Sequence, residues 1–398
     1  FFFCNAYPIL SQVLDLVHPS LFCYVHGRTR QTDEEARPWH KFMGGGTPRS
    51  FDFYAPDYVN DYGQPDDELS RRFQWLPSEF DVDKEGHVII RSYINNLHPV
   101  THRELYPIIA KIFERFVPLF NKVLTRLVNP PQHNRIKMDS ILDDNEEFKS
   151  FFHIPEYNPA ARASLPEEGQ RLKVVDIRGR RLQVIVKMAN IVLTPERPEY
   201  PGGVWHVEGA ANERIVASGI YYYDVSDNET TESRLLFRAA VEDPDYEQGD
   251  SVGVEAAYGI REEAPMNQKL GSVITRSGRC IAFPNCLQHR VYPFRLLDPS
   301  KSAHRKILVF FLVDPDERIV STLHVPPQQR HWFGSVVAPA IPTLPPEVVH
   351  LIVEQMDDWP MSMEEAKSHR AELMVERKFF IEAGNETLFE RPFSLCEH

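Results

Sequence analysis

The stretch Leu182–Pro195, LQVIVKMANIVLTP, decides the fold, because its pattern repeats every two residues rather than every 3.6. Gln183, Ile185, Lys187, Ala189 and Ile191 fall on one side, and Val184, Val186, Met188, Asn190 and Val192 on the other. The Val and Ile content favours a pleated backbone. A polar residue on each side suits a strand with one face on a core and one lining a polar cavity.

Similar runs surround it: LKVVDI (172–177), GVWHVEG (203–209), RIVASGIYYYDV (214–225), SRLLFRAAV (233–241), GSVITRS (271–277), RCIAFPN (279–285), LQHRVYPF (287–294) and RKILVFFLVD (305–314). Turn residues such as Pro201-Gly202-Gly203, Asp227-Asn228 and Pro284-Asn285 separate most of them. With no helical pattern between, the runs predict a mainly β fold with added helices. Its core, 171–325, is an antiparallel sandwich or barrel of the jelly-roll or cupin kind.

On either side the pattern changes. Residues 1–170 read as a mixed and helical region packing on the barrel. Strands are expected only from about Arg171 onward. The apolar residues between His102 and Leu127 recur at three and four, as in one amphipathic helix or two separated near Pro118. After Pro326-Pro327 a helical extension, 326–398, is expected on the outside of the barrel. One helix opens at Pro345-Pro346-Glu347 and runs to about Met356; a charged one runs from Ser362 to about Glu382.

The 398 residues carry 42% hydrophobic and 25% charged side chains, the balance of an ordinary folded protein. A formal charge of -13 argues against a nucleic-acid groove and disfavours anionic membranes. The basic run Arg178-Gly179-Arg180-Arg181 reads as a solvated turn. Five cysteines without a CxxC pair suggest a reducing compartment, so a cytoplasmic location is expected. No apolar stretch approaches the ~18 residues that would span a bilayer. Phe1-Phe2-Phe3 has neither an initiator Met nor a basic flank, so the natural N-terminus is expected upstream. The oligomeric state is left open.

Within this frame a few residues carry chemistry. His206 and Glu208, one residue apart on an expected strand, point to the same side, so one metal ion can take both. An HxE triplet alone is also the pattern of two exposed polar residues on an edge strand. His289 offers a third ligand from a distant strand, although a lone histidine among apolar neighbours is more often a satisfied core residue. Arg305 opens an almost wholly apolar strand, where a guanidinium faces either solvent or a buried anion that it grips through paired hydrogen bonds. Two imidazoles and one carboxylate can occupy one face of Fe(II) and leave three positions open.

The order HxE, then His, then Arg resembles the double-stranded β-helix of the iron(II)/2-oxoglutarate-dependent oxygenases. More closely, HPSLFCYVHGRTR (18–30), LQVIVKMANIVLTPERPEYPGGVWHVEG (182–209), IYYYDV (220–225), FPNCLQHRVYPF (283–294) and HRKILVFFLVDP (304–315) resemble DUF4246, a largely uncharacterised fungal family. The resemblance extends over most of the chain and is strongest from about 180 to 327. It implies that His206, Glu208 and His289 bind iron and that Arg305 holds the far carboxylate of 2-oxoglutarate. Dioxygen would be the oxidant and succinate the co-product. Glu replaces the commoner Asp, and a carboxylate in this position excludes the halide-binding variant.

Lys187 and Asn190 are further candidates for the co-substrate; they lie on opposite faces, so at most one points inward. Tyr221 and Tyr223 share a face, with Tyr222 on the other, and Arg238 is a candidate for a substrate carboxylate. Arg290 and His304 are expected to point outward. The leading expectation is oxidation of an unactivated C–H bond in a small molecule, an amino acid by resemblance, in fungal specialised metabolism, by hydroxylation or ring closure. A JmjC-like protein hydroxylase or demethylase, with Lys187 holding 2-oxoglutarate, is the second. A cupin-like binding protein without catalysis is the third.

Overall fold

Arg181–Leu193 is a single 13-residue strand, and the molecule is assembled around it. The computed structural model describes residues 12–33, 35, 46–49, 69–130, 172–241, 255, 260–334, 343–355 and 360–394. Its principal strands are β1 (Val13–Val17), β2 (Ser78–Val82), β3 (Val88–Ile90), β4 (Arg181–Leu193), β5 (Ile215–Val225), β6 (Arg234–Ala240), β7 (Asn267–Ile274), β8 (Arg279–Pro284), β9 (Gln288–Val291) and β10 (Ala303–Val313). The helices are α1 (Leu105–Val128), α2 (Pro346–Glu354) and α3 (Met363–Gly384). The fold is mainly β with few helices.

One antiparallel sheet has the order β8-β5-β10-β4-β2-β3. β4 is paired along its whole length: β10 covers one edge, while β2 and β1 share the other at residues 181–184 and 188–191. Strands therefore enter this sheet well before Arg171. A smaller antiparallel sheet has the order β7-β6-β9.

Alternation on β4 builds two cores. Leu182, Val184 and Val186 pack with Phe310 and Leu312 against α1, which buries Ile109, Phe113, Phe116, Val117 and Phe120. The helix runs unbroken through Pro118. Gly219, in the middle of β5, makes room for it: a Cβ there would lie 2.6 Å from the Phe116 ring. The opposite face, with Ile185, Ile220, Tyr222, Val309 and Phe311, meets Leu235 and Phe237 of the small sheet in a second cluster. Phe237 and Phe283 bridge the sheets edge to face at 5.0 Å.

Two expected strands are not ladder strands. In LKVVDI, the N–H groups of Lys173, Val175 and Ile177 donate to Asn129 Oδ1, Thr125 Oγ1 and Asn121 Oδ1 of α1, at 3.0, 3.0 and 2.9 Å. Four helical residues rise about 6 Å and two extended residues about 6.6 Å, so the alternation matches a helix face instead of a neighbouring strand. GVWHVEG forms one isolated bridge, His206 with His289. Gly203 N donates to Val291 O at 3.0 Å, so Val204 and Trp205 oppose the single residue Arg290, a bulge entered through Gly202 at φ +91°.

The C-terminal helix also differs from expectation. Ala366 and Leu373 of α3 belong to the same buried cluster as Trp75 and Phe311, so α3 helps to close the core between the sheets. Met356, the expected end of α2, lies outside the described residues, as do Cys4, Cys396 and the Phe1–Phe3 start. Among the described residues no helix is long and apolar enough to cross a membrane.

Candidate metal centre

The bulged segment 203–208 runs beside β9, and its bridge sets His206 directly opposite His289: His206 N donates to His289 O at 3.2 Å and His289 N to His206 O at 3.0 Å. The imidazole centroids are 4.4 Å apart. Glu208 turns to the same side, its Oε1 3.7 Å from His206 Nε2 and 3.4 Å from His289 Nε2. One ligand atom from each of the three residues lies within 4.8 Å of the others.

The donor set fits a metal. His206 Nδ1 lies 2.8 Å from the Val204 carbonyl, which can only accept, so Nδ1 carries a proton and Nε2, turned to Glu208, is the nitrogen that would meet a metal. Phe283 packs edge to face on His289 at 4.8 Å, and His289 is only 4% exposed. Asn285 fastens Glu208 from behind: Glu208 N donates to Asn285 Oδ1 at 2.9 Å, and Asn285 Nδ2 donates to Glu208 O at 2.8 Å and to Ile215 O at 3.1 Å. Asn285 is legible in the sequence only as a turn residue.

Burial would raise the Glu208 carboxyl, but the hydrogen bonds and charges of both imidazoles outweigh it and hold it well below the usual range. Burial likewise acts to lower His206, and Glu208 more than reverses it. His289 is lowered, first by burial and then by its neighbour His206. A divalent cation requires the carboxylate ionised and both imidazoles neutral, so its binding would displace the proton that Glu208 favours on His206.

Arg305 lies on the facing sheet, in β10, and is 2% exposed. Its Nη2 donates to the Tyr222 hydroxyl at 3.0 Å, and its guanidinium sits 4.9 Å from the centre of that ring. Its Nε is buried without a hydrogen-bond partner, and no carboxylate pairs with it among the described residues. A buried guanidinium in this state is costly, and an anion relieves it. Tyr222, read in the sequence only as the odd member of its triplet, is the tyrosine that meets Arg305.

The remaining candidates separate by face. Lys187 shares the inward side of β4 with Ile185 and Ala189, close enough for its charge to act on His206 and on the buried His18. Asn190 is on the other side, where the Tyr223 hydroxyl donates to its Oδ1 at 3.1 Å; Tyr221 and Tyr223 both pack on the α1 cluster. Asn190, Tyr221 and Tyr223 therefore do not share a cavity with the triad. Arg238 is not free for a substrate: it is buried, donates to Gln288 Oε1 at 2.7 Å and Asn385 Oδ1 at 3.0 Å, pairs with Glu390, and lies over Trp205. Arg290 also lies over Trp205, and His304 pairs outward with Asp224.

The sequence model of a family described as "Protein of unknown function (DUF4246)" matches residues 8–335. The chain belongs to the DUF4246 family. No curated protein matches this DUF4246 chain. Among solved structures it is similar to IDO from Bacillus thuringiensis, at 14% identity and a TM-score of 0.22, over 34% of this chain and 46% of that one. It thus spans less than half the length of that protein. It is also similar to the selenomethionine-labelled Fe(II)/(alpha)ketoglutarate-dependent dioxygenase TqaL, at 13% identity and a TM-score of 0.24, over 62% and 70% of the two chains. A cupin-2 domain protein from Shewanella frigidimarina matches 31% of this DUF4246 chain and 68% of its own, at 9% identity and a TM-score of 0.13. Likenesses this distant carry no argument about activity.

Proposed function

We propose that this protein is an Fe(II)- and 2-oxoglutarate-dependent oxygenase acting on a small molecule, with its two facing sheets forming a jelly-roll around the site. The observation that carries the reading is the pairing of two features across one interior. Two imidazoles and a carboxylate converge on one side, and a buried guanidinium without a carboxylate partner among the described residues stands on the other. His206, Glu208 and His289 would hold the metal, leaving positions for co-substrate and O2. When bound, Fe(II) with 2-oxoglutarate and O2 supplies the oxidising power to break an unactivated C–H bond, with succinate as co-product.

The protein's own residues do the rest. The Val204 carbonyl fixes the His206 tautomer, and Asn285 fixes the backbone of Glu208. Arg305 neutralises and orients the far carboxylate of the co-substrate, with Tyr222 holding the guanidinium plane. Phe237 and Phe283 exclude water from the His289 side. An amino acid is the substrate we favour.

The inward placement of Lys187 keeps a second reading, in which Lys187 holds the co-substrate as in the JmjC-like enzymes. Oxygen-dependent succinate formation from 2-oxoglutarate, measured with Arg305→Ala and Lys187→Ala, decides between them. Our reading expects a raised KM for 2-oxoglutarate in R305A alone. The same change in K187A alone favours the second, and no iron-dependent succinate in the native protein removes both.

A further inference from the structure

The matched family region ends at residue 335, and α3 lies beyond it, yet α3 reaches the turn directly behind the candidate metal ligand. Glu208 is followed by Gly209 at φ +80°, where a Cβ would fall 2.7 Å from Ile215 Cδ1 and 2.8 Å from Glu213 Oε2. The next turn, Ala210 to Glu213, folds back so that the Glu213 carboxylate lies against this glycine, wholly buried. Its Oε2 accepts from Ala210 N at 2.9 Å and its Oε1 from Trp75 N at 2.6 Å. Asn212 ties the same turn to Phe73 O at 3.1 Å and to Ser70 N at 3.2 Å.

The counter-charge comes from α3. Arg377 Nη2 donates to both Glu213 oxygens, at 2.6 and 2.8 Å, and its guanidinium lies 3.7 Å from the centre of the Trp75 ring. Both partners are buried, and a carboxylate left there without its counter-charge is destabilised in that pocket. Displacement of the carboxylate releases Ala210 N and Trp75 N, and with them the turn that fixes the chain leaving Glu208. Asn285 holds Glu208 itself; the Glu213–Arg377 pair holds the chain that leaves it.

We propose that Glu213 and Arg377 are positioning residues for the metal carboxylate, so that docking of the C-terminal helix sets the metal affinity of the site. The inference rests on the reading that His206, Glu208 and His289 bind a divalent metal. Outer partners of metal ligands are commonly worth about 10–100-fold in affinity, and a pair acting through the backbone is placed at the lower end, about tenfold.

The test is titration calorimetry of the full chain with Mn(II), with Co(II) absorption as a second readout of ligand geometry. Arg377→Met is compared with Arg370→Met, which removes a different α3 ion pair, Arg370 to Asp15 at 2.5 Å, without touching the turn. R377M is expected to bind Mn(II) about tenfold more weakly and to alter the Co(II) bands, with R370M within about twofold of the native protein. Native-like affinity and Co(II) bands in R377M, or an equal loss in R370M, overturn the proposal. If R377M does not fold, Arg377→Lys carries the test, since it keeps the charge and loses the paired geometry; unchanged affinity in R377K then overturns it. Absence of Mn(II) binding by the native protein removes the underlying metal reading as well, whereas native binding with an unaffected R377M removes this inference alone.

Discussion

Asn285 holds Glu208 at both ends of its backbone, accepting from its N–H at 2.9 Å and donating to its carbonyl at 2.8 Å. The two residues are 77 positions apart, and this closed pair of bonds is what lets an irregular segment present a carboxylate in a fixed place. Asn285→Ala is expected to lower Mn(II) affinity by about 10–100-fold while leaving the protein folded, as for other partners that orient metal ligands. Calorimetric titration with Mn(II) reads this directly, and unchanged affinity would show that the bulge holds its shape alone.

Much of the large sheet is legible in the sequence because alternation survives in strands that are buried on both sides. β4 and β10 are such strands: one side faces α1 and the other the small sheet, and apolar side chains, Val and Ile on β4 and Leu and Phe with them on β10, fill both. The same alternation puts Lys187 and Asn190 on opposite faces but does not say which face is inward. That depends on where α1 packs, a contact between segments far apart in the chain. LKVVDI misleads for a related reason: a helix face offering Asn121, Thr125 and Asn129 satisfies alternate N–H groups as a strand would. His206, Glu208 and His289 are visible as a ligand pattern. Asn285, Tyr222 and the Glu213–Arg377 pair are not, since each acts through a partner that only the folded chain supplies.

The packing of α1 on β5 gives a stability prediction. Phe116 is fully buried against Phe120 and Phe310, and its ring occupies the space left by Gly219. Phe116→Ala is expected to cost about 3–5 kcal/mol. Phe379→Ala, at a position 62% exposed, is expected to stay within about 0.5 kcal/mol. Urea midpoints of the two variants, measured side by side, check the difference; equal midpoints would contradict the placement of α1.

Acid sensitivity follows from two histidines that the fold keeps neutral. Burial pushes both His26 and His98 down to about 4, and His98 Nδ1 accepts from Val100 N and Thr101 N at 3.1 and 3.2 Å, which requires an unprotonated nitrogen. Above about pH 6.5 both rings are neutral whether the chain is folded or not. Between about 6.5 and 4 the unfolded chain takes up protons that the folded one refuses, so stability falls as pH falls, and this contribution levels off below 4. The difference in urea midpoint between the native protein and a His26→Asn/His98→Asn double variant should therefore change across that window. A difference that is constant from pH 7 to 4 would show that neither ring is held neutral.

The triad and Arg305 are expected to serve one metal and one co-substrate. The direct measurement is the visible metal-to-ligand charge-transfer absorption that Fe(II) and 2-oxoglutarate would give when bound together, recorded without oxygen. The native protein is expected to show the band, His206→Ala and His289→Ala to lose it, and Arg305→Ala to need at least about tenfold more 2-oxoglutarate to reach it, the loss of a charge-assisted paired contact. No band in the native protein, or a band that survives in H206A and H289A with native 2-oxoglutarate dependence in R305A, would contradict the central claim.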